Sequence, residues 1–340
     1  MQKMHLFKLF IVVLLVLIVG CGKKEDKTLN KEGSDVSGLI KKDSVTGKEK
    51  VLLKYLVKKG DKFVYKMTAK TSQTENSPAT EGKDVTQDNE INYYYSKEVQ
   101  DVDGSGIITF KVKYDSITIN AQMGEQNVKY NSNINDTVKS NPAFLQYNAV
   151  INEPFFFRVT SDGEITDIYG LEKIHENLFK ALGDTLKEED KQNIKESFGK
   201  ESMKEILQQE YQMFPKQDVY MDSSWTKSYN TQLLLFDVVN SAKYTLKGIE
   251  DKDNQKIADI DAMQTTEFLN KEVKQRGVKF ELVNSETSGA GKITFNLNKG
   301  CITHKETSIV LNLDMKASAQ GQSAKSVQKV KTNLWVTLLN

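Results

Sequence analysis

Two hydrophobic periods follow one another along this chain, and their order constrains the fold more than any other feature. In KFVYKMTAKT, Phe63, Tyr65 and Met67 alternate with polar neighbours, the period of a half-buried strand. The segment VLLKYLVKKGDKFVYKM reads as strand, Lys-Gly-Asp turn, strand. INYYYSKEV and IITFKVKYDSITIN flank Asp101-Val-Asp-Gly-Ser-Gly, a strong hairpin signal. Ile108, Phe110, Val112 and Tyr114 share one parity, and Ile117 and Ile119 the other, which predicts a bulge near Asp115-Ser116. PFFFRVTSDGEITDIYG reads as a further hairpin over Ser161-Asp162-Gly163. Across residues 170–214 the period changes. Leu171, Ile174, Leu178 and Leu182 form one helical stripe, and Met203, Ile206, Leu207, Tyr211 and Phe214 another, stopped by Pro215. Thr185-x-x-Glu188 has the form of a capping box between them. Strand patterns then run to the C-terminus.

Strands, helices, strands predicts an α+β fold. The expectation is one long, curved, half-barrel-like antiparallel sheet over residues 51–340. A central insert of about three helices, residues 170–214, would lie on its concave face, with Leu178, Leu182 and Ile206 buried against it. GDKFVYKMTAKT and DSSWTKSYNTQ both set Asp and an aromatic at the head of a long alternating strand, which raises an internal duplication of the two halves.

The N-terminus predicts where the domain is held. Lys3 and Lys8 precede an unbroken apolar run, Leu9 to Val19, of eleven residues. That is too short for a span of about 20 residues, and it has the form of a secretory signal. The run ends in Ile18, Val19, Gly20 and Cys21, which resembles the bacterial lipobox. The resemblance implies cleavage before Cys21 and acylation of its thiol and amino group, with palmitate-type chains anchoring the protein in a membrane of the bacterial envelope. Gly22, where an Asp would retain a lipoprotein in the inner membrane, points to the outer membrane. The polar residues 22–50 cannot bury enough apolar surface to fold and are expected to form a tether.

Composition excludes several classes. Removing residues 1–20 leaves 45 basic against 46 acidic residues, so no general positive charge attracts nucleic acid. Cys21 and Cys301 are the only cysteines, and acylation of the first leaves no intramolecular disulfide. His175 and His304 are the histidines that remain, too few for a Cys/His zinc site. Asp101, Asp103 and Ser105 take calcium-loop positions, but position 12 is Val112, so a plain hairpin is expected. Asp251, Asp253, Asp259 and Asp261 are expected on a solvated edge, and His175 exposed on the first helix. Cys301 and His304 are three apart on a strand and face opposite ways, so they form no dyad. Gly289-Ala290-Gly291-Lys292 lacks the full phosphate-loop pattern and opens a strand. No catalytic, cofactor or metal motif emerges. The aromatic triplets Tyr93, Tyr94, Tyr95 and Phe155, Phe156, Phe157 remain as the candidate apolar surface, since three consecutive aromatics cannot all face one side.

Several stretches together resemble an uncharacterised family of bacterial secreted and lipoprotein domains, a domain of unknown function. They are LVKKGDKFVYKM, SDGEITDIYG, the set Pro215, Val219, Asp222 and Trp225, and GAGKITFNLNKGCITHKETS. The likeness covers roughly residues 52–338 and departs at Asn296, where an aspartate is common, and at Cys301. It implies a fold and a compartment and no activity. The layout also resembles periplasmic lipoprotein carriers, half-barrels whose curved sheet holds acyl chains. The expectation is therefore a lipid-anchored, non-enzymatic binding or structural domain, partnered by the membrane through Cys21 and by an apolar ligand or an envelope protein. Two alternatives stand beside it, a lipid carrier of half-barrel type and a hydrolase with an unrecognised carboxylate site.

Overall fold

A computed structural model describes residues 38–134, 141, 144–183, 186–275 and 277–340. The signal segment, Ile18, Val19, Gly20 and Cys21 lie outside the described residues. In chain order the strands before the first helix are β1 (Ile40–Lys42), β2 (Glu49–Val51), β3 (Lys62–Asn76), β4 (Val85–Val102), β5 (Ile108–Met123) and β6 (Gln126–Asn131). Then come α1 (Leu145–Val150), β7 (Phe155–Val159), β8 (Ile165–Tyr169), α2 (Glu172–Leu182), α3 (Glu188–Ser197) and α4 (Lys200–Tyr211). The chain continues through β9 (Val219–Tyr220), β10 (Ser224–Leu233), β11 (Phe236–Lys252), β12 (Gln255–Phe268) and β13 (Glu272–Gln275). It ends with β14 (Val278–Asn296), β15 (Cys301–Ala319) and β16 (Gln322–Leu338).

Thirteen strands make one open, curved antiparallel sheet in the order β10-β11-β12-β14-β15-β16-β3-β4-β5-β7-β8, with β13 on β14 and β6 on β5. The α+β expectation with its curved sheet and three-helix insert matches this architecture. The phase slip also has its structural counterpart. Tyr94 pairs with Ser116 and Tyr95 with Tyr114, which leaves Asp115 as the extra residue. Both parities around it are buried, from Ile108 to Tyr114 and again at Ile117 and Ile119.

An open sheet leaves two edges whose backbone groups need cover. Helix α4 bridges them. Lys200 at its start pairs with Asp167 of β8 at 3.0 Å, and Glu205 accepts a 2.8 Å hydrogen bond from Thr231 of β10. Its apolar side buries Met203, Leu207 and Tyr211, and Tyr211 packs on Phe157 and Phe110 at ring separations of 5.0 and 6.0 Å. The main core gathers here, with Tyr55, Tyr65, Tyr95, Phe214 and Phe295 around it. A smaller cluster of Phe236, Leu282 and Leu313 closes the far end of the C-terminal strands. The sheet path and both clusters lie within residues 38–340.

Several sequence expectations are corrected. Residues 52–58 alternate as a strand does, and Leu53, Tyr55 and Val57 are buried, but the segment joins no ladder. It runs as an extended cord inside the core. The Tyr55 N–H donates to Ser161 O at 2.8 Å, and the Tyr55 hydroxyl donates to Tyr211 O at 3.3 Å. The tether boundary at residue 50 falls inside a small sheet, β1-β2-β9, in which Leu39 and Val51 are buried. Leu182 is exposed and Ile206 is half-buried, so of the three side chains expected beneath the helices only Leu178 is core. α3 starts at Glu188 with Lys187 as its N-cap and no side-chain cap, which removes the expected capping box; Thr185 lies outside the described residues. An internal duplication is not shown. One meander contributes five strands to the path and the other six.

Candidate functional site

The two halves of the concave face are covered differently. Over the N-terminal strands the cord and the helices pack directly on the sheet. Tyr93, Tyr95, Phe155 and Phe157 are buried there as core, whereas Tyr94 and Phe156 point to the other face and are half-buried. Lys66 lies 5.7 Å over the Tyr94 ring, and Phe156 stacks on Tyr169 at 5.1 Å. The triplets therefore form no continuous apolar surface. Alternation sends the outer two members of each inward and the middle one outward.

The uncovered apolar surface lies instead over the C-terminal strands. Between α4 and the concave face of β10–β12 and β14–β16 is a trough of about 640 Å³. Register makes its floor. Ala262 pairs with Gly291, and Gln264 with Gly289. Gly291 pairs with Thr307, and Gly289 with Ile309. Tyr244 and Ala242 continue the same two rows onto β11. Small residues at the centre of these rows, Ala242, Ala262, Gly289 and Gly291, leave the space, and larger side chains at either end, Ile293 and Leu311 among them, bound it. A Cβ on Gly291 would come within 2.6 Å of Glu306 O, so glycine here also lets β14 and β15 approach closely. The GAGK motif thus has a structural role, on a strand as the sequence reading placed it. The β10–β11 turn bounds the other end with Leu234, a β-hairpin leucine at φ 60°, a conformation usually left to Gly or Asn.

Glu205 and Glu210 of α4 face the trough from the helix side, and Lys305 faces it from the sheet, with Lys97 behind Glu210. Lys97 of β4 is buried. Its ammonium donates to Glu210 at 2.8 Å and to the Tyr211 hydroxyl at 2.7 Å, and it lies 4.5 Å over the Tyr65 ring. Glu205 is held by Thr231. Lys305 of β15 reaches the trough from the sheet side, and its ammonium makes no hydrogen bond or ion pair among the described residues. Desolvation pushes its pKa below the usual lysine range, and Glu210 nearby opposes that shift. No described Asp or Glu is fully buried.

The other sequence candidates are structural. Asp103 accepts from Ser105 and Ile107 within its own hairpin and pairs with Arg158, which spends the calcium-loop oxygens on a turn. Asp251 pairs with Lys256, and Asp259 accepts from Thr294. No group of metal-ligating side chains occurs among the described residues. His175, expected exposed, is half-buried against Phe198 O at 3.0 Å. His304 lies 3.4 Å from the Thr337 hydroxyl. Cys301 is buried, and burial pushes its thiol up to about 12, which keeps it protonated and inert at neutral pH. Sequence reading missed the trough because its signal is an absence of bulk, glycine and alanine at the inward positions of three separate strands.

No curated protein matches this chain. Among solved structures, one titled for lipid–protein interactions in lipovitellin aligns at 9% identity and a TM-score of 0.45, covering 84% of this chain and 26% of that one. The chain thus spans about a quarter of that protein's length. The β domain of the Bordetella autotransporter BrkA aligns at 6% identity and TM-score 0.20, covering 82% of this chain and all of that one. Pseudomonas aeruginosa OpdQ aligns at 8% and 0.19, with the same coverage. A family model matches residues 105–302, more than half of the chain, and the protein belongs to that family, described as a family of unknown function (DUF6263).

Proposed function

We propose that this protein is a lipid-anchored lipoprotein of the bacterial envelope whose domain holds an elongated apolar ligand in the C-terminal trough. The trough itself carries the reading. Its volume of about 640 Å³ lies in the roughly 300–1,000 Å³ range of small-molecule sites. Inward positions on β15 from Lys305 to Leu311 lie along seven residues, about 20 Å of strand, close to the length of a long acyl chain. The carboxylates beside it, Glu205 and Glu210, are both engaged by the protein, which favours binding over hydrolysis. The anchor rests on the lipobox at Cys21 and places the trough next to a source of acyl chains.

Two experiments test the two parts. The chain from residue 22 contains the whole described domain and serves for binding. A neutral, environment-sensitive dye is expected to bind it one to one. Ala262→Phe, which puts a ring on the trough floor, is expected to weaken binding at least ~10-fold, since pockets of this kind are read by volume. A wild-type chain that takes up no dye, and shows only its bare mass in native mass spectrometry, would end the trough reading. For the anchor, Cys21→Ser is expected to abolish acyl labelling and leave the signal uncut. A variant that still appears mature and labelled refutes it.

A further inference from the structure

We infer that the trough selects a single-chain amphiphile with one carboxylate head, a free fatty acid, and that Lys305 takes the head while the chain lies along β15 towards Leu311. The inference rests on the trough reading above and adds the head-group chemistry.

Charge bookkeeping along the helix side points this way. Lys97 and Glu210 neutralise each other at 2.8 Å, and the Tyr211 hydroxyl takes a further ammonium proton of Lys97. Glu205 lies farther back along α4, tied to Thr231. Lys305 is the cation left over. It faces the trough, and its cross-strand neighbours are Ile293 and Val336, which offer it no hydrogen bond from their side chains. An unpaired cation among apolar neighbours is costly, and an anion arriving with its own apolar tail both neutralises it and fills the space. Glu210 and Lys305 line the same trough, so the head must be compact and carry a single charge to avoid repulsion by Glu210. No second free cation lines the trough among the described residues, and the Thr307 hydroxyl, two residues on along the same face, is the nearest neutral donor on β15. One cation and one hydroxyl fit the two oxygens of a carboxylate. A phosphate monoester brings a second negative charge towards Glu210, which repels it. Beyond Thr307 the row turns apolar through Ile309 and Leu311, as an alkyl chain requires.

The test compares palmitic acid, its methyl ester and lysophosphatidic acid as competitors for the bound neutral dye, on the wild-type chain from residue 22 and on Lys305→Met and Lys305→Arg. The acid is expected to compete about 10- to 100-fold better than the ester on wild type, the worth of one charge-assisted hydrogen bond in a partly dry site. Lys305→Met should erase that preference, read as the ratio of acid to ester competition on the same variant, and Lys305→Arg should keep it. Lysophosphatidic acid is expected to compete less well than palmitic acid. Equal competition by acid and ester on wild type, or a preference that survives Lys305→Met, overturns the head-group assignment while the trough stands. Stronger competition by lysophosphatidic acid replaces the carboxylate with a phosphate and overturns it too. If the dye itself does not bind, both readings fall together.

Discussion

Gly163→Ala is expected to destabilise the domain by about 4 kcal/mol or more, the range reached only when a substitution breaks the backbone or the core. Gly163 ends the turn of the β7–β8 hairpin at φ 94°, where a side chain is already strained. The larger effect is steric. A Cβ at this position would lie 1.9 Å from Tyr211 O and 2.6 Å from its carbonyl carbon. Neither atom can give way cheaply. Tyr211 O closes the last turn of α4 and accepts from the Tyr55 hydroxyl and from Met213 N–H. The hairpin also holds the buried cord, since Ser161 O accepts from Tyr55 N–H. A methyl group at the hairpin tip therefore pushes apart three elements, the β7–β8 turn, the end of α4 and residues 52–58. Gly104→Ala is the control. It sits in the β4–β5 turn without a positive φ and with nothing within 4 Å of the added methyl, so its effect should stay within about 0.5 kcal/mol. Urea unfolding of both variants measures the difference. Similar midpoints for the two would show that the hairpin tip does not seat against α4.

The strands were legible because a half-buried ladder writes its period into the chain. Phe63, Tyr65 and Met67 alternate, and the bulge at Asp115 shows as a change of parity between Tyr114 and Ile117. The same rule misleads at residues 52–58, where Leu53, Tyr55 and Val57 alternate inside the core without a partner strand. Alternation reports burial on one side of an extended backbone and is silent about hydrogen bonding. It misleads again at the aromatic triplets. Bulk suggested unburied surface, but Tyr93, Tyr95, Phe155 and Phe157 are what the cord and helices rest upon. The trough was illegible for the opposite reason. Gly289 and Gly291 on β14, Ala262 on β12 and Ala242 on β11 meet only through register. Lys305 reads as one lysine in the polar run His304-Lys305-Glu306. Only the closure of α4 across the sheet puts it beside Glu210 and inside the concave face.

Glu210→Leu is the second large effect, expected to cost about 3–5 kcal/mol, because it leaves a buried cation without its partner. Lys97 is 6% exposed, and its ammonium cannot return to water without dislodging Tyr65 and Tyr211, whose rings lie 4.5 and 4.9 Å from it. The aromatic faces recover part of the loss, at about 0.5–2 kcal/mol for such contacts. The reverse deletion is not equivalent. Lys97→Met leaves the Glu210 carboxylate, which still has Lys305 nearby, and its side chain keeps 12% exposure. Lys97→Met should therefore cost less than Glu210→Leu, and Glu210 should draw closer to Lys305 and blunt the acid preference of the trough. The double variant Lys97→Met/Glu210→Leu removes both charges and should regain most of the loss, since buried pairs replaced by apolar groups are often neutral in stability. Denaturant unfolding of the two singles and the double gives the coupling, and the dye competition on Lys97→Met gives the link to the trough. A double variant no more stable than Glu210→Leu would mean that the pair holds α4 across the sheet by geometry, not by charge balance.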